Sequence, residues 1–200
     1  MASYVVESLV EWWSGDEPQA VALRQKCRLL AYPMVNPSGR YGGFVRGGPE
    51  FPFGDHNRIW SPEDRGQLPH VDRLKDALAY DAQGPVLFFL DAHNTERSQD
   101  SFMYVNTTMQ FQEDGFSLMP LLARMKQDVP HFRIQQTESL LVESQNTTCK
   151  SWAAVAKDGP KARFSYTLEP GSPSQDPLGI CRHYGESLGR GIYDHLSGLD

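Results

Sequence analysis

Two hundred residues can bury a substantial core without metal or disulfide staples, and they fit a single globular domain, 1–200. A formal charge of −6, with no dense run of Lys or Arg, argues against nucleic acid as a partner. Cys27, Cys149 and Cys181 are too few and too far apart for a disulfide framework, and no apolar run approaches the roughly 20 residues that span a bilayer. The N-terminal residues lack the basic start and apolar run of a signal peptide, so the expected location is cytoplasmic, with reduced thiols.

Val5, Leu9 and Trp12-Trp13 recur at helical spacing, which predicts a helix from Val5 to Trp13. A second helix is predicted over 16–30, with Pro18 near its start and Ala20, Leu23, Cys27 and Leu30 on one stripe. Cys27 then reads as a small buried thiol rather than a nucleophile. From 33 to 69 glycine, proline and aromatic residues alternate, the mark of a long shaped loop with at most a short strand over 41–46. Its glycines match neither a phosphate loop nor a dinucleotide fingerprint.

Ser61-Pro62-Glu63-Asp64 is a helix start, with a hydroxyl cap, an early proline and two acids at the positive dipole end. A longer helix is predicted over 70–82, buried through Val71, Leu74 and Leu78. Val86 to Leu90 is a continuous apolar run, as in a strand covered on both faces. Phe102 to Gln112 alternates as a strand, with Met103, Val105, Thr107, Met109 and Phe111 on one face. A short helix is expected over 117–128. Phe132 to Glu143 follows as a strand, then a hairpin pair over 149–156 and 162–168, and a last helical turn or two over 187–196.

The strand from Phe132 breaks its own apolar face. Phe132, Ile134, Leu140 and Val142 are apolar, but Gln136 and Glu138 between them are polar. Facing inward, Glu138 would carry a raised pKa and serve as a general acid or base, with Gln136 and Thr107 orienting a substrate. A β-bulge near Gln136 would instead send Glu138 to solvent. Asp91-Ala92-His93 leaves the apolar strand at its end, where ligands meet covered sheets; an Asx-turn is the simpler reading. Asp55-His56 could be carried over a pocket by the loop, or form a plain turn. His70-Val71-Asp72 has the spacing of an iron triad but sits at a helix start, where Asp72 serves the dipole. Cys181 and His183 lack two further ligands for zinc, so no metal and no cofactor is called for. Neither Gly-x-Ser-x-Gly nor His-Glu-x-x-His occurs.

The architecture expected is α+β: N-terminal and mid-chain helices packed on a curved, mostly antiparallel sheet of five or six strands around a possible cavity. This element order, over about two-thirds of the chain, resembles the cone-shaped NTF2-like domains, which implies a cavity between sheet and helices. Two functions follow. One is a metal-free lyase- or isomerase-like enzyme, or a carrier, for a small apolar or aromatic molecule. Glu138 and His93 would be catalytic, and Gln136, Thr107, Asp91, His56 and Trp60 would bind the substrate. The other is a non-enzymatic protein-binding module that uses the aromatic loop 41–60 as its interface. The direction of Phe44, Phe51, Phe53 and Trp60 discriminates them. Membrane and nucleic-acid partners are not expected, and oligomeric state is not legible.

Overall fold

A computed structural model describes residues 2–44, 46–50, 54–93, 102–106, 119–129, 132–137, 148–170 and 177–198. The chain divides into two compact units. One comprises Met1–Pro33, Ala92–Glu138 and Thr167–Asp200; the other comprises Met34–Asp91 and Ser139–Tyr166.

The first unit is built on helices. α1 (Ala2–Ser14) buries Val5, Ser8, Leu9 and Trp12, the three- and four-residue spacing that its apolar pattern predicts. α2 (Pro18–Lys26) starts on proline and ends with Arg24 and Lys26 in its last turn, where cations suit the dipole. It is shorter than the 16–30 expected, and Cys27 lies just beyond its end, only partly buried. α5 (Met119–Asp128) carries Pro120 within its first turn, where the missing N–H costs no helical bond. α7 runs from Pro177 to Ser197, 21 residues where only the last turns were predicted.

α7 packs against both α1 and α5. Gly185 and Gly189 give α1 its close approach: a Cβ at Gly185 would stand 2.5 Å from the Val5 carbonyl oxygen, and one at Gly191 would stand 3.3 Å from Leu121 on α5. Polar contacts fix the same seam. Ser8 Oγ donates to the Arg182 carbonyl at 2.7 Å, and Arg124 Nε donates to Asp194 at 2.9 Å. Glu17 accepts from Arg190 at 2.7 Å and from Trp12 Nε1 at 2.9 Å. Those bonds, Arg190 first, hold its carboxyl below the usual range.

Four strands are described: β1 (Phe88–Ala92), β2 (Phe102–Asn106), β3 (Arg133–Thr137) and β4 (Phe164–Glu169), in the order β1-β4-β2-β3. β2 runs antiparallel to β4, with Phe102 opposite Glu169, and parallel to β3, with Val105 opposite Gln136. β1 and β4 run the same way: Arg163 and Phe164 donate to Val86 and Leu87, and further along His93 donates to Leu168. This mixed sheet, with crossover connections, replaces the curved antiparallel meander of five or six strands and removes the NTF2-like reading. The physical reason is the status of 149–156. This segment is not a hairpin strand but a helix, α6 (Cys149–Val155), whose N-cap Thr148 accepts the Ser151 N–H at 3.3 Å. β4 therefore has no hairpin partner before it and pairs with β1 and β2 instead.

In the second unit, the expected glycine-rich loop holds α3 (Pro37–Tyr41) and short 3-10 turns over His56–Arg58 and Pro62–Asp64, with no strand over its described residues 41–44 and 46. Ser61 and Asp64 form the predicted cap reciprocally. α4 (Pro69–Asp81) agrees with the predicted helix to one residue at each end. The core gathers Ile59, Trp60, Leu68, Val71, Trp152 and Ala153.

Lys75 has no exposed surface, yet it lies in this core. Its ammonium donates to the Ser61 carbonyl at 3.1 Å and stands 6.0 Å from the ring centres of Trp60 and Trp152. Burial holds it below the usual lysine range, opposed by Asp158 and Asp72. Because the unfolded chain then binds the proton more tightly, stability rises with pH between the lowered value and the ordinary one of about 10.4. Lys75→Met, which keeps the volume, is expected to stay within about 1.5 kcal/mol of wild type and to lose that rise. Lys75→Ala should cost about 2 kcal/mol through the cavity it leaves. Urea unfolding at pH 7 and pH 9.5 measures both.

Candidate functional site

The chemistry-bearing residues of the first unit meet at the carboxyl ends of two parallel strands. β4 is buried from Phe164 to Leu168 and closes on a carboxylate, Glu169, with Pro170 behind it to stop the strand. His93 lies one residue past β1, and its main-chain N–H donates to the Leu168 carbonyl at 2.8 Å. Imidazole and carboxylate therefore leave adjacent strands side by side. The His93 Nδ1 and one carboxylate oxygen of Glu169 are both shielded from solvent. In open sheets covered by helices, ligands bind at this edge.

Tyr184, on α7, belongs to the same surroundings. It is fully buried, its ring packs edge-on against Phe132 at 6.1 Å, and its hydroxyl has no hydrogen-bond partner among the described residues. Burial first, then the negative charge of Glu169, pushes the phenol well above its ordinary value. Tyr184→Phe should leave the protein at least as stable as wild type, since it removes an unpartnered buried hydroxyl. Denaturant unfolding checks this.

The donor types fit a transition metal, but a catalytic zinc takes three protein ligands. Among the described residues no three His, Cys, Asp or Glu side chains gather to hold an ion. The pair His93 and Glu169 does not by itself make a metal site.

A separate polar cluster lies in the second unit. Asp55 caps the turn by accepting the Asn57 N–H at 2.9 Å and pairs with Arg46 at 2.9 Å. Asn57 spends both ends of its amide: Oδ1 accepts the Cys149 N–H at 2.7 Å, and Nδ2 donates to Asp91 at 3.3 Å. His56 is buried, with Nδ1 at 3.4 Å from Nε2 of His70. Asp72, in the first turn of α4, accepts the Gly66 N–H of the preceding loop at 2.8 Å and makes no cap bond to the helix itself.

Of the sequence-predicted site residues, the second unit holds His56, Trp60 and Asp91. His56 and Asp91 flank the Asn57 cluster, whereas Trp60 is core, its ring tilted 51° against Trp152 with centres 5.4 Å apart. His93 and Gln136 fall in the first unit, Gln136 on β3 opposite Val105. Glu138, Thr107, Phe51 and Phe53 lie outside the described residues. Glu169, Tyr184 and Asn57 escaped the sequence reading. A lone carboxylate closing an apolar strand was the one available signal for Glu169.

The fold is shared with metallo-carboxypeptidases. The Burkholderia cenocepacia metallo-carboxypeptidase superposes with a TM-score of 0.77 at 20% identity, covering 99% of this chain and 53% of that one. A Pseudomonas aeruginosa metallo-carboxypeptidase, solved with (2-guanidinoethylmercapto)succinic acid, gives 0.74 at 18% identity over 99% of this chain and 54% of its own. Among characterised proteins, cytosolic carboxypeptidase 1 of Danio rerio is 28% identical over 186 residues, 84% of this chain and 15% of that protein. Cytosolic carboxypeptidase 6 of Caenorhabditis elegans is 26% identical over 135 residues, 64% of this chain and 29% of its own. The chain thus spans about half the length of the solved structures it matches, and less of the full-length relatives. No protein-family model matches it.

These likenesses correct the functional readings drawn from the sequence. A lyase- or isomerase-like acid/base pocket for a small molecule, and a non-enzymatic module binding through loop 41–60, both give way to a peptidase fold. Among the described residues no helix is long and apolar enough to cross a membrane.

Proposed function

We propose that this chain forms part of a carboxypeptidase-type peptidase, acting on the C-terminal residue of a peptide or protein in the cytosol. The observation that carries the reading is the superposition of 99% of the chain on a metallo-carboxypeptidase. The location follows from relatives named as cytosolic enzymes. Within that reading Glu169 is the general base. Its carboxylate takes a proton from the water that adds to the scissile carbonyl and returns it to the departing amine as the C–N bond breaks. His93, set beside it by the neighbouring strand, supplies an imidazole nitrogen at the same edge. No step is assigned to a metal, because the described donors stop short of a full ligand set.

The test pairs peptides bearing a free C-terminal carboxylate with the same peptides amidated, with Zn²⁺ added or with chelator, followed by mass spectrometry. Loss of single C-terminal residues from the free-acid peptides alone is the expected result. Cleavage that ignores the terminus, or no cleavage across the panel, would overturn the reading.

A further inference from the structure

The His56–His70 contact is unused by the proposed hydrolysis, and it joins two separate segments of the second unit. His56 is 7% exposed, and its backbone N–H donates to the Arg46 carbonyl at 3.3 Å. Its ring lies against the main chain of Gly48: a Cβ there would stand 3.2 Å from His56 Cε1. That stretch is tied back in turn by Asn36, whose Nδ2 donates to the Gly47 carbonyl at 2.8 Å while its Oδ1 accepts the Gly39 N–H at 2.9 Å. His56 therefore cannot swing without moving the turn from Asn36 to Gly48. On its other side, Nδ1 meets Nε2 of His70 on the first turn of α4, with ring centres 5.0 Å apart.

We propose that the His56–His70 pair is a pH-sensitive fastening, which releases the Asn36–Gly48 turn from the start of α4 when both rings carry a proton. A hydrogen bond between two imidazoles needs one ring nitrogen to donate and the other to accept. With both rings protonated all four nitrogens are donors, the shared bond is lost, and two like charges face each other. The charged groups around the pair are these. Glu50 and Asp55 lie on the loop side, with Arg46 and Arg58 paired to Asp55 at 2.9 and 3.8 Å. On α4, Asp72 is engaged by the Gly66 N–H. Burial and the second imidazole outweigh the two loop carboxylates and hold His56 below the ordinary histidine range. The unfolded or opened state then binds more protons. The fastening is complete above about pH 6.5 and weakens as pH falls through that value toward the lowered one.

The experiment follows both imidazoles by NMR from pH 8 to pH 5, together with hydrogen-exchange protection of the His56 amide, corrected for intrinsic exchange. The Trp152 amide, bonded to the Thr148 carbonyl at 2.9 Å, reports on unfolding of the unit as a whole. In wild type the His56 protection factor should fall by up to about tenfold per pH unit below 6.5, while Trp152 protection holds. His70→Gln, at a half-buried position, should raise the His56 midpoint and make that fall shallower. Constant His56 protection, an unmoved His56 midpoint in the variant, or loss of Trp152 protection in step with His56 would each overturn the proposal. None of these readouts depends on peptidase activity.

Discussion

Replacing Gly189 by alanine is expected to destabilise the protein by about 3 kcal/mol, the upper range for overpacking a tight seam. A methyl group there would stand 2.5 Å from Cζ3 and 2.8 Å from Cδ2 of Trp12, well inside contact. The indole cannot step aside cheaply: Trp12 is 6% exposed, and its Nε1 is bonded to Glu17, which Arg190 grips in turn. α7 and α1 must therefore move apart or Trp12 must leave its rotamer. In an isolated helix the same change would stabilise by up to about 1 kcal/mol, so the sign of the effect separates helix propensity from packing. Thermal and urea unfolding measure it. Trp12→Leu, which opens room at the contact, should make the second substitution less costly, and a double-mutant cycle reads that coupling.

Glu169→Gln is expected to lower kcat by about 10²- to 10⁴-fold, the usual contribution of a positioned general base, with KM little changed. Glutamine keeps the shape and the ability to bond but cannot accept the proton of an attacking water. The substitution should leave stability near wild type, because the new amide retains an acceptor oxygen at the strand end. Steady-state kinetics on a free-acid peptide, with unfolding as the control, measures both. An unchanged kcat would remove Glu169 from the chemistry while leaving the peptidase fold untouched.

Local signals carried several elements. The spacing of Val5, Leu9 and Trp12, the proline starts at Pro18 and Pro62, and the apolar stripe of α4 each follow from rules within one turn or one face. α7 was not legible in that way. Gly185, Gly189 and Gly191 lower helix propensity, and only the seams with α1 and α5 show what their missing side chains admit. Cys149 to Val155 was equally ambiguous: a short run of Trp, Ala and Val suits a strand or a buried helix, and the Thr148 cap decided it.

In one dimension the polar break at Gln136 and Glu138 is the most conspicuous candidate for chemistry. The partly buried carboxylate that the described residues place beside a histidine is Glu169, 76 positions beyond His93. Sequence spacing carries no information about that pairing, because it depends on β4 entering the sheet between β1 and β2. Composition and periodicity placed most of the helical starts, whereas the curved antiparallel α+β sheet expected from them gives way to a four-stranded mixed one. Strand order, the close helix seams and the meeting of His93 with Glu169 were decided only by the tertiary structure, since each is a contact between segments far apart in the chain.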